Sequence, residues 1–249
     1  MDFQDHFSKQ SYKYSKYRPD YPNELIKFIT DLCNEKDTAL DVATGNGQAA
    51  MKIANTFNRI FALDASKNQI LNSFKTGNIE YILAKAEKLP VKSNSINLIC
   101  IAQTLHWFSF EDFFYEVKRV LKADGIIAAW CYNLMKVNSM IDKTIEKFYN
   151  DILGDYWPDR RKYIDNEYKT IPFPFNEIVC PPFEISKEWD LEHFLGYLRT
   201  WSAVQKYKEA SDKDDVEQIF DELTALWENP SKKLKITWPV ILRAGINNR

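Results

Sequence analysis

The chain has 249 residues, 45% of them hydrophobic and 27% charged, which is enough to bury the core of one large α/β domain. The formal net charge is -2 and the pI is about 6.0, so the chain offers no strong positive field for duplex nucleic acid. No apolar stretch approaches ~18 residues and the first residues lack an apolar segment. Neither a membrane-spanning helix nor a secretory signal is therefore expected.

The cysteines give no sign of a metal site. Cys33, Cys100, Cys131 and Cys180 are scattered, with no C-x-x-C pair and no histidine at ligand spacing. This pattern argues against zinc and against a disulfide framework. It favours a reduced, cytoplasmic setting.

Strand and helix patterns alternate along the first half of the chain, after a helix predicted over 23–33. The predicted strands are 38–42, 59–64, 78–84, 95–102 and 125–132. The helices between them are 47–57, 66–75 and 110–122. This order predicts a parallel sheet with right-handed crossovers, in which ligands bind at the carboxyl ends of the strands.

The alternation of strand and helix patterns ends in the second half of the chain. There, the segment 154–177 is rich in aromatic residues and proline, which predicts a loop or lid. Helices are predicted over 136–153, 190–209 and 213–229. The predicted strands are 177–186, which Pro181 and Pro182 interrupt, and 233–246.

A glycine loop follows the first predicted strand, in the segment D-V-A-T-G-N-G-Q-A of residues 41–49. Gly45 and Gly47 permit positive φ and a close approach of the backbone to a ligand. The helix that starts at Gly47 presents unpaired N–H groups. Asp64, at the end of the second strand, is placed to accept hydrogen bonds from ribose hydroxyls. The spacing G-x-G-x-x-A also fits a dinucleotide site.

Asp41 helps to separate the interpretations of this loop. A carboxylate four residues before the first glycine suits a pyrophosphate poorly, but it suits a ligand with an ammonium group, such as S-adenosylmethionine. The residues favour that cofactor over a dinucleotide, while a purely structural turn stays open as the third interpretation.

Five segments in order carry a family resemblance: LDVATGNGQ, FALDAS, AKAEKLP, INLICIAQTLHWF and FFYEVKRVLKADG. Together they resemble the class I S-adenosylmethionine-dependent methyltransferases. The N-terminal YSKYRPDYP, the His-Trp pair and the late GYLRTWS resemble the trans-aconitate methyltransferase-like branch. The resemblance implies a doubly wound, seven-stranded, mostly parallel sheet of the Rossmann-like methyltransferase type, with an antiparallel last strand and a helical cap.

The resemblance also implies a layout for the chain as one domain, 1–249. An N-terminal cap and the first helix span 1–35, and a cofactor-binding core spans 36–133. A helical lid region with one strand spans 134–232, and the last strand spans 233–249.

The cofactor contacts that the resemblance implies are Tyr17, Arg18, Asp41, Ala43, Gly45, Gly47, Asp64, Ala65, Ala86, Glu87, Ala102 and Gln103. In this layout the glycine loop lines the methionine end and Arg18 lies near the cofactor carboxylate. Asp64 would hold the ribose, while Ala86 and Glu87 would flank the adenine. Ala43 stands where many members have a glycine, so we expect an ordinary φ there.

Methyl transfer needs mainly a positioned nucleophile and the exclusion of water. His106 is the histidine that follows a strand end at the expected site, with Trp107 beside it as a substrate contact. His106 is the candidate catalytic residue, either as a base for a hydroxyl or as a hydrogen-bond partner of a substrate oxygen. Its competing role is to pack the start of the next helix.

A carboxylate acceptor would need no base but would want a cation nearby. The candidates are Arg160, Arg161, Arg199 and Arg243, and we favour Arg199 because it lies in the GYLRTWS stretch. The aromatic residues around Trp157 and around Phe173 predict either a substrate lid or simple packing.

We therefore expect S-adenosylmethionine-dependent methyl transfer to a small molecule, with a carboxylate oxygen as the favoured acceptor atom. A quinone carbon or a natural-product hydroxyl is the second choice of acceptor. The sequence also leaves open an NAD-dependent dehydrogenase and a non-catalytic cofactor-binding protein. No metal, nucleic acid or membrane partner is expected.

Overall fold

The computed structural model describes residues 17–211 and 215–248. The first part of the expected N-terminal cap, the first residues of the helix predicted over 213–229, and Arg249 lie outside the described residues.

The described chain forms one eight-stranded mixed sheet with the order β3-β2-β1-β4-β5-β8-β6, and β7 also pairs with β8. The strands are β1 Thr38–Val42, β2 Arg59–Asp64, β3 Ile79–Leu83, β4 Ile96–Ala102, β5 Leu121–Tyr132, β6 Asn176–Ile178, β7 Phe183–Trp189 and β8 Leu234–Ile246. The first five are parallel and β8 runs antiparallel to β5. These directions confirm the doubly wound, mostly parallel sheet of the Rossmann-like type and its antiparallel last strand.

The sheet has eight strands instead of the expected seven because two short strands share the outer edge of β8. β6 pairs with the end of β8, and β7 pairs with its beginning. Pro181 and Pro182 lie in the gap between them. Proline has no N–H to donate to a strand ladder, so the predicted strand is interrupted where the two prolines stand.

Helices cover both faces of the sheet. They are α1 Asn23–Asp31, α2 Gln48–Ile53, α3 Lys67–Leu71, α4 Phe110–Val120, α5 Ser139–Lys147, α6 Lys162–Asp165, α7 Leu191–Arg199, α8 Ser202–Ala210 and α9 Asp215–Trp227. Alternate residues of β4 are buried on opposite faces, Leu98 and Cys100 in one apolar core and Ile99 and Ile101 in the other. A strand buried on both faces is typical of a central parallel strand.

The helix predicted over 190–209 is two helices, α7 and α8. Thr200 Oγ1 donates to the carbonyl of Tyr197 at 2.6 Å, and Trp201 then takes an extended conformation. A threonine hydroxyl that bonds a nearby carbonyl competes with the helical N–H ladder. The break turns the buried Trp201 ring into the core.

Among the described residues, no helix has both the length and the apolar character needed to cross a membrane. No group of three or more His, Cys, Asp or Glu side chains in the same part of the chain is arranged to hold a metal ion.

Candidate active site

Asp64 ties the glycine loop to the end of β2. Its Oδ2 accepts the N–H of Gly45 at 2.8 Å, and its Oδ1 accepts the N–H of Ser66 at 2.8 Å. β1 and β2 are parallel and in register, so their carboxyl ends bring the loop and this carboxylate together. A carboxylate oxygen has two lone pairs, so one that accepts a backbone N–H can in general also accept a hydroxyl.

Asp41 has no exposed surface and lies under the same loop. Its Oδ2 accepts hydrogen bonds from Thr44 Oγ1 at 2.5 Å and from the N–H of Ala50 at 3.0 Å. Its Oδ1 has no hydrogen-bond partner among the described residues. Burial raises the pKa of Asp41 to about 7, and the charge of Asp64 adds to the rise.

Three residues of the loop have positive φ: Ala43 at 54°, Gly45 at 60° and Gly47 at 95°. The expectation of an ordinary φ at Ala43 is wrong. The chain must turn there so that the N–H of Thr44 can donate to the carbonyl of Leu63, at 2.8 Å. A side chain in this region costs about 1–2 kcal/mol, which the alanine tolerates.

The two glycines have different surroundings. A Cβ at Gly45 would meet nothing within 4 Å, so this side of the loop is open to a ligand. A Cβ at Gly47 would collide with the hydroxyl of Tyr81 on β3. Gly45 therefore leaves space for binding, whereas Gly47 permits close packing of α2 on the sheet.

A separate cavity lies past the carboxyl ends of β4 and β5, under the cap, defined as segment 154–165 together with α7 and α8. Its aromatic walls are Trp107, Tyr132, Trp157, Tyr197 and Trp201. Its polar groups are Arg18, Gln103, His106, Asn133, Arg161 and Ser202. Aromatic walls with a few convergent polar groups are typical of a small-molecule site.

Arg161 is held in this cavity by its neighbours. Its Nε donates to Tyr149 Oη and its Nη2 to Asn133 Oδ1, both at 2.7 Å. Its guanidinium carbon lies 4.9 Å from the ring centroid of Trp157, and its Nε is 3.6 Å from Asp165 Oδ1. Nη1 makes no hydrogen bond to the described residues. A preorganised guanidinium of this kind binds carboxylates well.

His106 lies in a single helical turn after β4 and is 3% exposed. Its Nδ1 is 3.1 Å from the hydroxyl of Tyr168. Burial lowers the pKa of His106 to about 3, and the positive charges of Arg161 and Arg160 lower it further. The imidazole is therefore neutral at neutral pH and is a weak general base.

Gln103 joins the ends of β4 and β5. Its Oε1 accepts the N–H of Tyr132 at 3.2 Å, and its Nε2 donates to the carbonyl of Tyr132 at 3.3 Å. Its φ is 61°, a rare value for a residue other than glycine. This turn brings the Gln103 side chain to the wall of the cavity.

Comparisons with known proteins agree with this geometry. The methyltransferase domain model matches residues 40–129. A Dictyostelium discoideum protein that bears a methyltransferase name is 35% identical over 247 residues, 96% of this chain and 94% of that protein. A solved structure from Anaeromyxobacter dehalogenans, named as a type II methyltransferase, has 34% identity and a TM-score of 0.87, and the match covers 93% of this chain and 99% of that one. A probable S-adenosylmethionine-dependent methyltransferase of Saccharomyces cerevisiae is 27% identical, over 92% of each chain.

The chain belongs to the class I S-adenosylmethionine-dependent methyltransferases. Its cofactor is S-adenosylmethionine, and the dinucleotide interpretation of the glycine loop is set aside.

The loop fits this cofactor. The unpaired Oδ1 of Asp41 is an acceptor for an ammonium group, and the open surface at Gly45 admits a bulky ligand. Asp64 holds the loop through the N–H groups of Gly45 and Ser66, and a carboxylate at this strand end is a suitable acceptor for ribose hydroxyls. These residues would bind the methionine and ribose parts of the methyltransferase cofactor.

The two N-terminal candidates contact the cap. A Cβ at Gly196 would collide with the ring of Tyr17, so these residues are closely packed. The guanidinium carbon of Arg18 lies 5.1 Å from the ring centroid of Tyr197, and Arg18 lines the cavity. The N-terminal motif and the GYLRTWS motif therefore meet at the rim of this cavity.

The candidates for the adenine end follow β2 and β3. The N–H of Ala84 donates to the carbonyl of Asp64 at 3.0 Å, so the chain that leads to Ala86 starts beside Ala65. Glu87 Oε1 accepts the N–H of Ser109 at 3.1 Å, at the start of α4. Their adenine contacts stay a prediction.

Arg199 does not line the cavity. It lies on the exposed side of α7, where its Nη2 is 3.9 Å from Glu217 Oε2 and its guanidinium carbon is 4.6 Å from the ring centroid of Phe220. Among the four arginine candidates, the structure brings Arg161 to the cavity instead. The sequence signal that could have found it is the pair of aromatic residues nearby, Tyr149 and Trp157.

The aromatic residues of segment 154–177 separate in the structure. Trp157 lines the cavity, and Tyr156 packs on Tyr207 with ring centroids 5.0 Å apart. Phe173 and Phe175 pack on Phe114 at the other face of the sheet.

Proposed function

We propose that this methyltransferase methylates a carboxylate oxygen of a small organic acid. The observation that carries the proposal is the cavity that combines the cationic Arg161 with aromatic walls and a neutral His106. A carboxylate is ionised at neutral pH, so its methylation needs no proton removal. A hydroxyl acceptor would want a stronger base than a histidine with a pKa of about 3.

The residues of the chain have distinct tasks in this reaction. When bound, S-adenosylmethionine supplies a methyl carbon activated by its sulfonium. Arg161 pairs with a carboxylate of the acceptor, and the tryptophan and tyrosine walls exclude water. Gln103 ties the ends of β4 and β5 together at the wall of the cavity, which keeps the surroundings of the acceptor fixed.

The trans-aconitate methyltransferase-like resemblance supports an acid as acceptor. Its two distant motifs pack together through Tyr17 and Gly196, next to the cavity that contains Arg18 and Arg161. The guanidinium of Arg161 in an aromatic cavity favours a small anionic acceptor, while Arg18 stays the expected partner of the cofactor carboxylate. We also propose a reducing, cytoplasmic location, which the four unbridged cysteines support.

The first experiment identifies the methylated atom. The enzyme is incubated with S-adenosylmethionine labelled on its methyl group and with separate panels of small carboxylic acids, phenols and quinones. Alkaline treatment releases labelled methanol from a methyl ester but not from an ether or a methylated carbon. We expect volatile label with the acids. Label that stays with the product after alkali would contradict the proposal.

The second experiment compares two arginines of the same region. Arg161→Gln should lower kcat/KM for the acid at least tenfold, because a charged hydrogen bond to the acceptor is lost, while affinity for S-adenosylhomocysteine stays unchanged. Arg199→Gln is the matched control and should keep its activity. Retained activity in Arg161→Gln and lost activity in Arg199→Gln would contradict the proposal and would indicate that Arg199 binds the acceptor. Thermal unfolding of both variants checks that the lost Tyr149 and Asn133 contacts do not unfold the protein.

A further inference from the structure

His106, Tyr168 and Cys131 form a buried cluster beside the acceptor cavity. Cys131 and Tyr168 have no exposed surface, and His106 is 3% exposed. The Tyr168 hydroxyl is 3.1 Å from His106 Nδ1, and the thiol of Cys131 also contacts it. His106 lines the cavity, and its Nε2 has no hydrogen-bond partner among the described residues.

Tyr168 lies in a strained turn that places its side chain in this cluster. Glu167 and Tyr168 have φ of 54° and 59°, two consecutive left-handed residues without glycine. The N–H of Tyr168 donates to the carbonyl of Tyr163 at 2.7 Å, and Arg243 Nη1 donates to the carbonyl of Tyr168 at 2.9 Å. Such strain persists where surrounding contacts over-determine it, commonly at functional sites.

The neighbours of the Tyr168 hydroxyl decide where its proton points. Burial raises the pKa of Tyr168, so the hydroxyl keeps its proton, and the backbone amide of His106 faces the hydroxyl as a donor. A thiol is a weak acceptor, whereas an unprotonated imidazole nitrogen is a strong one. The hydroxyl proton therefore goes to His106 Nδ1. In a neutral imidazole that accepts at Nδ1, the ring proton is on Nε2.

We propose that Tyr168 locks His106 in the tautomer protonated on Nε2, and that Nε2–H donates a hydrogen bond to an oxygen of the methyl acceptor. His106 then binds the acceptor through this donor and removes no proton, and Tyr168 is a positioning residue. The identity of the occupant rests on the proposed function. The tautomer is a property of the protein alone and can be tested without an acceptor.

The test is a long-range proton–nitrogen correlation spectrum of the uniformly ¹⁵N-labelled protein. The chain has three histidines, so His106→Gln assigns the pattern of His106 by its loss. We expect an unprotonated Nδ1 and a protonated Nε2 from about pH 8 to about pH 5, because burial and the two nearby arginines oppose a charged ring. A protonated Nδ1, or an average of both tautomers, would overturn the proposal.

A pair of tyrosine variants tests the positioning role. Tyr168→Phe removes one hydroxyl and should convert the His106 signals to a mixture of tautomers. With an acid acceptor from the screen, KM should rise about tenfold, the loss of one oriented hydrogen bond, while kcat changes little. Tyr163→Phe removes a hydroxyl four residues before the turn and should change neither. Unmoved His106 signals in Tyr168→Phe would refute the lock. Absence of turnover with every acid, with the tautomer as expected, would refute only the proposed acceptor.

Discussion

At the scale of single residues, two carboxylates at neighbouring strand ends have different tasks because their surroundings differ. Asp64 accepts two backbone N–H groups and remains 8% exposed, so it can also meet a ligand. Asp41 has no exposed surface, its Oδ1 has no hydrogen-bond partner in the part of the chain that the structure describes, and burial raises its pKa to about 7. Environment, rather than residue type, separates a carboxylate that stays partly exposed from one whose pKa burial raises to near neutral pH.

Asp64→Asn should weaken the binding of S-adenosylhomocysteine by about 1–3 kcal/mol, or roughly 5- to 150-fold, because charged hydrogen bonds to the ribose and to Gly45 are lost. Calorimetric titration measures the change. Asp155→Asn, on the exposed surface, is the control and should bind normally. Equal affinity in both variants would undo the assignment of Asp64 to the cofactor.

Asp41→Asn should change the pH dependence of stability. The folded pKa of Asp41 is about 7 and the unfolded value is near 3.9, so between these values the folded protein holds more protons. The contribution of Asp41 to the free energy of unfolding therefore falls as pH rises from about 4 to about 7. Without this group, the variant should gain about 2–4 kcal/mol relative to the wild type over that range.

Urea unfolding at a series of pH values measures this difference, with Asp155→Asn as the control. The slope with pH is the readout, because a constant offset reports only the altered hydrogen bonds to Thr44 and Ala50. Parallel pH curves for Asp41→Asn and the wild type would show that Asp41 is ionised in the folded protein like an exposed aspartate.

Residue patterns predict where the two acids, both glycines and His106 lie, because each has a fixed place relative to a strand end. They do not predict the φ of Ala43, since a turn that glycine usually makes gives no signal once alanine replaces it. Arg161 escapes prediction for another reason. Its place depends on Tyr149 and Asn133, 12 and 28 residues away in the chain, in a region without regular periodicity.

At the scale of elements, the five parallel strands are the most predictable because burial on both faces leaves unbroken apolar runs. The cap is less predictable. A side-chain hydroxyl at Thr200 divides one predicted helix into α7 and α8, and two prolines divide one strand into β6 and β7. Such local competitors change the pattern of hydrogen bonds without changing the hydrophobic pattern that sequence reasoning uses.

Gly47→Ala should destabilise the protein by about 1–3 kcal/mol and weaken cofactor binding. The φ of 95° and the Tyr81 hydroxyl both oppose a Cβ at the start of α2. Gly77→Ala is the matched control, since nothing lies within 4 Å of its Cβ position. Tyr81→Phe in the Gly47→Ala background should recover part of the loss in urea unfolding. If Tyr81→Phe recovers no stability, the positive φ of residue 47 accounts for the whole loss.

At the scale of the whole molecule, the glycine loop and the cavity proposed for the acceptor lie on different strand ends of one sheet. The loop lies at β1 and β2, and the cavity lies past β4 and β5. The cap closes over the cavity through contacts such as Tyr17 with Gly196 and Arg18 with Tyr197. Because the cap and the sheet share one apolar core, the two should unfold together.

Calorimetric unfolding tests whether the cap and the sheet unfold in one transition, and whether S-adenosylhomocysteine raises the Tm of that transition. We expect one transition for the chain, since a single domain is predicted over 1–249. S-adenosylhomocysteine at about 100 times its Kd should stabilise the folded state by about 2.7 kcal/mol, which raises the Tm by roughly 5–10 °C for a domain of this size. NAD at the same concentration should not move the Tm. Two transitions, with only one shifted by S-adenosylhomocysteine, would mean that the cap folds apart from the sheet, and the acceptor cavity would then form only when the two parts dock.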